Sequence, residues 1–508
     1  MVILKMVYYP MQKIRQRGST SRFGTQKSFR IKLDKNISLW SGERRIQLIK
    51  SPFDSSRIRN KLSYDLFAEI PHIPSMRSQF VNLTIEDQSV VQNLGLYTQV
   101  EFFGKEYLER RGWDKDSGVY KVEQFYFRDS GAFALDVEGK PINEAAFERL
   151  IEIKRGDNHE ALVEMIKAVN NPNLDFQTEI FDKYFNQDNY LTWFAINMLT
   201  NNDDTNWHNY YLYNPIDADN FYFVPWDYDL AWGAWSEYTS LARPRFSNSP
   251  AYYWDNNLHK RFFMTPGNLA LIKEAVAEIK QKYLTVQKIA AKRDTFYDAV
   301  FPLISSSPDW DFINIEGTDP EKVAAYNQVF ESLSHNVEEN HARFIARFND
   351  PMPFLMSDVV IDEDNIVYMD WSESESLSDQ IINYELQIAT DIFFTPTSII
   401  QTISDISESE YLLDWIYPKG IYYYRVIARD SANPNTSWQI GYNSVIQGSN
   451  GLARVYGVKS FRVDRDGEMN PSDPNEPEPN IESGGSFSWL MLLTSMLLFK
   501  KRLHFNLL

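Results

Sequence analysis

Residues 201–214, NNDDTNWHNYYLYN, crowd adjacent carboxylates, a histidine, asparagines and tyrosines into one short stretch. An apolar run with two further aspartates, FYFVPWDYDLAWG, follows at 221–233. Asn209 stands five residues after Asp204, and Asp227 stands 23 residues after Asp204 at the end of the strand-like YFVPWD. A short loop that turns back on itself lets its two ends, Asp204 and Asn209, reach one phosphate tail. A second carboxylate delivered by a strand completes the set. Magnesium takes oxygen ligands in octahedral geometry and keeps several waters, so few protein ligands suffice. The chemistry such residues can do is metal-assisted phosphoryl transfer, with one carboxylate accepting the proton of a hydroxyl. The spacing D-x4-N alone is expected by chance in most chains of 508 residues. The pair also fits a helix end and turn, where Asn and Asp are favoured. Asp227 and Asp229 together fit the D-x-D metal site of a glycosyltransferase or a structural calcium site.

Strands and helices must position these groups. KSFRIKL (27–33) alternates Phe29, Ile31 and Leu33 against Arg30 and Lys32, as a half-buried strand does. QFVNLTIED (79–87) and GLYTQVEFF (95–103) alternate likewise and predict a hairpin about a turn at 88–93. Residues 54–70 predict a helix through Ile58, Leu62, Leu66 and Ile70, with Asp54, Ser55 and Ser56 as N-caps. An aromatic helical stretch, 178–200, predicts an element buried on more than one side. Charged helical stretches at 268–295 and 319–348 predict a covering layer.

NDPMP (349–353) ends the mixed α/β pattern, and short β-like runs recur beyond it without helical stretches. The expected class is α+β, in four parts: a mixed domain over 1–350, an all-β sandwich over 351–464, an acidic proline-rich linker over 465–484 and a hydrophobic tail over 485–508. The sandwich resembles a fibronectin type III-like domain, with MDW in an early strand and GIYYYRVIARD as the tyrosine-bearing late strand.

Hydrophobic residues make up 43% of the chain, enough for sizeable cores and against global disorder. Net charge is −18, which excludes a broad nucleic-acid binder. A local exception is residues 1–32, which carry Lys5, Lys13, Arg15, Arg17, Arg22, Lys27, Arg30 and Lys32 and no acid. The chain has no cysteine, so disulfides, thiolate zinc sites and cysteine nucleophiles are excluded.

Six segments occur in order: RQRGSTSRFGTQKSFRIKL (15–33), LIKSPFDSSRIRNKLSYDL (48–66), NLGLYTQVEFFGKEYL (93–108), GVYKVE (118–123), NNDDTNWHNYYLY and VPWDYDLAWG. Together, over roughly residues 14–345, they resemble the CotH family, the spore coat protein H type of atypical kinase. The resemblance implies a divergent protein-kinase-like fold for 1–350 and ATP- and divalent-metal-dependent phosphorylation of secreted protein. It makes Asp204 the catalytic base. Asn209 and Asp227 become the Mg²⁺ or Mn²⁺ ligands, with Asp229 assisting. Arg17, Ser19, Ser21 and Arg22 of RGSTSR match the nucleotide-proximal loop, in which arginine replaces glycine amides. Lys27 is the expected α/β-phosphate contact, Glu101 its candidate partner and Lys121 a second basic candidate. His208 reads as packed or hydrogen-bonded, since Asp204 already supplies the base.

The tail, with Gly-Gly at 484–485, a 13-residue apolar stretch from Phe487 to Phe499, then Lys500, Lys501 and Arg502, resembles a GlyGly-CTERM sorting segment. That implies export to the cell surface with a transient membrane anchor, cut by a membrane sorting protease. The expected partner is an exported protein substrate; nucleic acid is not expected. The beginning of the chain lacks the apolar core of a signal peptide, which together with the short lead before RGSTSR predicts a truncated start. A non-catalytic surface adhesin with a degenerate kinase-like unit, and a metal-dependent glycosyltransferase, are the competing functional readings.

Overall fold

The computed structural model describes residues 2–7, 12–18, 24–87, 90–234, 243–361, 367–413, 417–447, 453–465 and 468–470. Within them the chain forms two compact units. The first holds residues 1–239 and 256–342; the second holds 240–255 together with the chain from 343 onward.

The first unit opens with a six-stranded sheet of β1 (Val2–Val7), β2 (Gln12–Arg17), β3 (Ser28–Leu33), β4 (Arg45–Ile49), β5 (Ser78–Asp87) and β6 (Val90–Val100), in the order β1-β5-β6-β4-β3-β2. Only β1 and β5 run parallel. The alternation read at 27–33 has its physical consequence here. Ile31, Leu33, Ile46, Leu48, Val81, Leu83 and Tyr97 pack into one core cluster, while Arg30 and Lys32 point to the other face. The hairpin of β5 and β6 forms as expected, with β6 beginning at Val90.

Helix α1 (Arg59–Phe67) is shorter than the stretch 54–70 predicted, and its N-cap is Ile58 rather than Asp54, Ser55 or Ser56. Arg57 has φ 60 and interrupts the helical path. The Asp54 carboxylate instead accepts from the backbone N–H groups of Ser56 and Arg59, at 2.9 and 3.0 Å, and builds a turn ahead of the helix.

Helix α2 (Lys105–Arg110) then leads to a second sheet, β10-β9-β7-β8 in order: β7 (Gly118–Val122), β8 (Ile151–Arg155), β9 (Tyr210–Asn214) and β10 (Tyr222–Pro225). Helices α3 (Glu144–Leu150) and α4 (Glu160–Val169) flank β8 in the chain. The stretch 178–200 divides into a π-helical turn, Phe176–Phe181, a single turn α5 (Asp182–Tyr184) and α6 (Gln187–Thr200). Phe185 is extended and bridges Phe221, which separates the pieces. Asn186 caps α6 by accepting from Asn189 N–H at 2.9 Å. From Asn189 to Thr200 every residue of α6 is buried, as its apolar circumference requires.

The helical layer comprises α7 (Asn257–Met264), α8 (Asn268–Lys282), α9 (Val286–Ile304), α10 (Asp309–Phe312), α11 (Asp319–Ser332) and α12 (Asn336–Arg347). Each long helical stretch predicted there is two helices; Thr285, for example, caps α9 through Lys288 N–H.

The second unit is built on antiparallel strands. One sheet joins β11 (Val360–Ile361), β12 (Val367–Asp370) and β15 (Glu410–Leu413). Another runs β14-β13-β16-β20-β21, from β13 (Ile382–Ala389), β14 (Ile399–Ile406), β16 (Gly420–Asp430), β20 (Lys459–Arg465) and β21 (Glu468–Asn470), with β17 (Trp438–Ile440) also on β16. A two-stranded ribbon pairs β18 (Ser444–Gln447) with β19 (Ala453–Tyr456). Met369, Leu413, Leu386, Val426 and Phe461 share one core, so residues from both sheets meet in it. β21 lies inside the predicted linker 465–484, where an extended solvated segment was expected. The remainder of that linker and the tail 485–508 lie outside the described residues. The class is α+β, and among the described residues no helix is long and apolar enough to cross a membrane.

Candidate active site

The site is assembled by one strand pairing and one helix end. In the β9–β10 pair Tyr210 faces Pro225, so Asn209 and Asp227 emerge at the same end of the ladder. Both turn sharply there: Asn209 has φ 59 and Asp227 has φ 63. Asn and Asp are the non-glycine residues that adopt the left-handed conformation most readily. Helix α6 stops at Asn201, also left-handed at φ 50, whose N–H closes on the Asn197 and Met198 carbonyls. A 3₁₀ turn, Asp203–Thr205, then carries Asp204 toward Asn209, whose Nδ2 donates to Asp204 Oδ2 at 3.3 Å.

Second-layer contacts lock the Asp227 loop. Asn202 Nδ2 donates to the Asp227 carbonyl at 3.1 Å, and Trp232 N–H to the Thr200 carbonyl at 2.8 Å, tying the loop to the end of α6. From α1, Tyr64 OH accepts from Asp227 N–H at 3.1 Å and Asn60 Oδ1 from Tyr228 N–H at 2.7 Å. Asn60 and Tyr64 are four residues apart, hence on one helix face. That spacing is the signal in the sequence that would have found them.

The electrostatics show how closely the carboxylates gather. Asp229 is held well above the ordinary carboxylate range, first by burial and then by the charges of Asp227, Asp54 and Asp204, while a hydrogen bond with Ser51 opposes the rise. Asp54 is itself buried and paired with Arg59. His208 Nε2 lies 3.7 Å from Asp204 Oδ2. Burial pushes its pKa down to about 4 against the pull of Glu123, so the ring is neutral at pH 7 and packs on Trp207. In that form it makes no charged pair with Asp204.

Arg17, at the end of β2, reaches this group: its guanidinium lies 5.6 Å from the centre of the Trp226 ring. Its pKa is lowered by burial and by neighbouring Arg30, with Asp227 acting in the opposite direction. The Nε atoms of Arg17 and Arg30 are both buried without an acceptor among the described residues. Arg30 was not singled out from the sequence as a site residue. The β2–β3 register sets Arg17 opposite Ser28, so Lys27 sits at the foot of the intervening loop beside Arg17, and its carbonyl accepts from Tyr97 OH at 2.9 Å. Ser19, Ser21 and Arg22 lie outside the described residues. Lys121, on β7 opposite Tyr211 of β9, pairs with Glu123, and its charge is felt at His208.

Glu101 corrects an expectation. Rather than partnering Lys27, its buried carboxylate is held by Arg77, Arg110 and Arg111, with Arg77 Nε at 3.2 Å and Arg111 Nη2 at 3.0 Å. Two of those arginines come from the end of α2, which follows Glu101 directly and turns back over it. A buried lysine follows β4 directly, Lys50, which was not singled out from the sequence. Its Nζ lies 2.7 Å from Asp309 Oδ1, and both side chains are fully buried.

Hard oxygen donors crowded until one carboxyl is driven toward its neutral form fit a divalent cation, which would relieve the repulsion. Among the described residues no three His, Asp or Glu close into a preformed metal cage. A magnesium-like ion that keeps most of its waters needs none. The two buried guanidinium Nε groups fit phosphate oxygens.

Residues 14–343 match the CotH kinase protein family, and the chain is a member of it. One relative is Inner spore coat protein H of Bacillus subtilis (strain 168), which is 31% identical over 225 residues, or 43% of this chain and 58% of that protein. The chain therefore spans less than two-thirds of that relative's length.

Proposed function

We propose that the protein is a surface-associated phosphotransferase that moves the γ-phosphoryl group of ATP to Ser or Thr hydroxyls of exported proteins. The observation that carries this reading is the shared exit of Asn209 and Asp227 from the β9–β10 pair, with Asp204 hydrogen-bonded to Asn209. Asp204 accepts the hydroxyl proton as the substrate oxygen bonds to the γ-phosphorus and the bond to the bridging oxygen of ADP breaks. Asp227 and Asn209 hold the Mg²⁺ or Mn²⁺ ion, and Asp229 assists from its crowded position. A bound divalent ion supplies charge neutralisation at the β- and γ-phosphates. Arg17 and Lys27 orient the phosphates from the β2–β3 hairpin, joined by Ser19, Ser21 and Arg22 of the loop between; Lys121 adds positive charge from the β7 side.

The name of the spore coat relative supports a surface location, and the fibronectin type III-like reading of the second unit fits a display or docking module there. The GlyGly-CTERM-like tail, with a sorting protease as partner, supplies the route. Incubation with γ-labelled ATP and Mg²⁺ or Mn²⁺ is expected to label the protein or a partner. Asp204→Asn and Asp227→Asn should each lower labelling by at least about a hundredfold. Equal labelling in both variants would sink the assignment. Stabilisation by a UDP-sugar in preference to ATP would favour a glycosyltransferase instead.

A further inference from the structure

The first sheet has two unlike faces. One is the apolar core already described. On the other, the strand registers align cations in rows across β2, β3 and β4: Lys13 opposite Lys32, which is opposite Arg45; then Arg15 opposite Arg30, which is opposite Gln47; then Arg17 opposite Ser28. Lys13, Arg15 and Lys32 are exposed, whereas Arg17, Arg30 and Arg45 are half-buried. Among the described residues none of the six forms an ion pair. Arg30 and Arg45 lie over the Phe102 ring, and Arg45 feels Glu106 and Arg155 only at longer range. Like charges directly opposite each other on a sheet are destabilising. Keeping edge strands from pairing accounts for lysine and arginine on β2, which is the sheet edge. It does not account for Lys32 and Arg45, because β3 and β4 are paired on both sides; Arg30 faces the candidate phosphate site already described.

A chain with net charge −18 repels acidic partners over most of its surface. The exposed end of this face, at Lys13, Arg15 and Lys32, is where one can approach. Along β2 and β3 the cations recur at i, i+2, about 7 Å apart, the same repeat at which an extended peptide presents alternate side chains. Successive rows lead from the exposed Lys13 and Lys32 to Arg17, which lies against Trp226 beside Asp227. We propose that this face docks an extended, Asp/Glu-rich segment of the protein substrate and feeds the neighbouring hydroxyl-bearing residues toward Asp204. The proposal rests on the phosphotransfer reading for its destination, but not for the docking itself.

The test is equilibrium binding without nucleotide, by fluorescence anisotropy on the full chain. The probes are labelled 12-residue peptides of alternating Glu-Ser, Gln-Ser and Lys-Ser, and a DNA single strand of the same length. The Glu-Ser peptide is expected to bind at least about tenfold more tightly than the Gln-Ser peptide, less so at high salt. The Lys13→Glu/Arg15→Glu/Lys32→Glu variant should lose that preference while its thermal shift with ATP and Mn²⁺ stays unchanged. The corresponding triple Gln variant replaces it should the charge reversal fail to fold. Equal binding of Glu-Ser and Gln-Ser peptides, or no effect of the variant, overturns the proposal. So does tighter binding of the DNA strand, which assigns the face to nucleic acid, or loss of the ATP shift in the variant, which assigns it to the nucleotide site. Peptide binding that persists where ATP labelling fails refutes the phosphotransfer reading alone.

Discussion

Asp227→Asn separates a structural aspartate from one placed to hold a cation. Asn keeps the left-handed backbone at φ 63, whereas Ala there would add about 1–2 kcal/mol of strain and confuse the result. In the ligand-free protein Asp227 raises the Asp229 pKa, so it stands in repulsion with that carboxylate. Neighbouring carboxylates repel by roughly 1 kcal/mol in a water-like medium and up to about 4 kcal/mol at an effective dielectric of about 20. Proton uptake by Asp229 relieves part of this, and Arg17 loses a favourable neighbour when Asp227 is neutralised. The balance is a gain of about 1 kcal/mol in the variant, or a rise in Tm of about 1–2 °C. With ATP and Mn²⁺ at about a hundredfold over Kd, the wild type should gain about 2.7 kcal/mol, a rise of about 3–5 °C. The variant should gain far less. Thermal unfolding with and without ligand gives both numbers from one plate. A variant less stable than wild type when ligand-free, yet showing the full ligand shift, would refute the account: Asp227 would then be a turn residue whose carboxylate supports the fold.

Periodic features were legible from the sequence because one physical pattern determined each. Alternation at 27–33 placed Ile31 and Leu33 in the core, and the aromatic stretch 178–200 implied burial on more than one side, which the structure extends to every residue from Asn189 to Thr200. The pairing of the Asp204 turn with the Asp227 loop was foreshadowed by an apolar strand ending in an aspartate. What escaped were contacts made by residues distant in the chain. Nothing local to Glu101 announces that Arg77 and the end of α2 will surround it. Lys50 looks like any strand-end lysine until Asp309, 259 positions later, arrives beside it. The segment 240–255 reads as part of the first unit's chain, yet it is held in the second, where Arg245 Nε donates to Asp350 Oδ2 at 2.9 Å. Helix starts were misplaced for a local reason. Asp54 and Ser56 are good capping residues, but Arg57 in the left-handed region delays the first helical turn.

The buried pair Lys50–Asp309 should behave as a unit. Asp309→Asn leaves an ammonium group enclosed by the Leu94 and Leu96 carbonyls without its counter-charge and should cost about 3–5 kcal/mol in urea unfolding, most of it recovered by adding Lys50→Met. Equal losses in the single and double variants would show that the pair is not coupled. Acid sensitivity has a separate source in His259, which is fully buried, accepts or donates through Nδ1 to Tyr190 OH at 2.8 Å and stacks on Trp193. Burial lowers its pKa to about 3, whereas the unfolded chain takes up that proton near its ordinary value of about 6.5. Between those values the unfolded state binds more protons, so stability is complete above about pH 6.5 and declines as pH falls toward 3. At pH 5 the cost from this residue is about 2 kcal/mol relative to pH 8. His208, lowered to about 4, contributes in the same direction over a narrower range. His259→Phe should lower stability near pH 7–8, because it strands the Tyr190 hydroxyl, yet flatten the decline between pH 7 and 5 by that amount. An unchanged slope in the variant would mean that the acid loss arises elsewhere and that the enclosed imidazole is not held neutral by the fold.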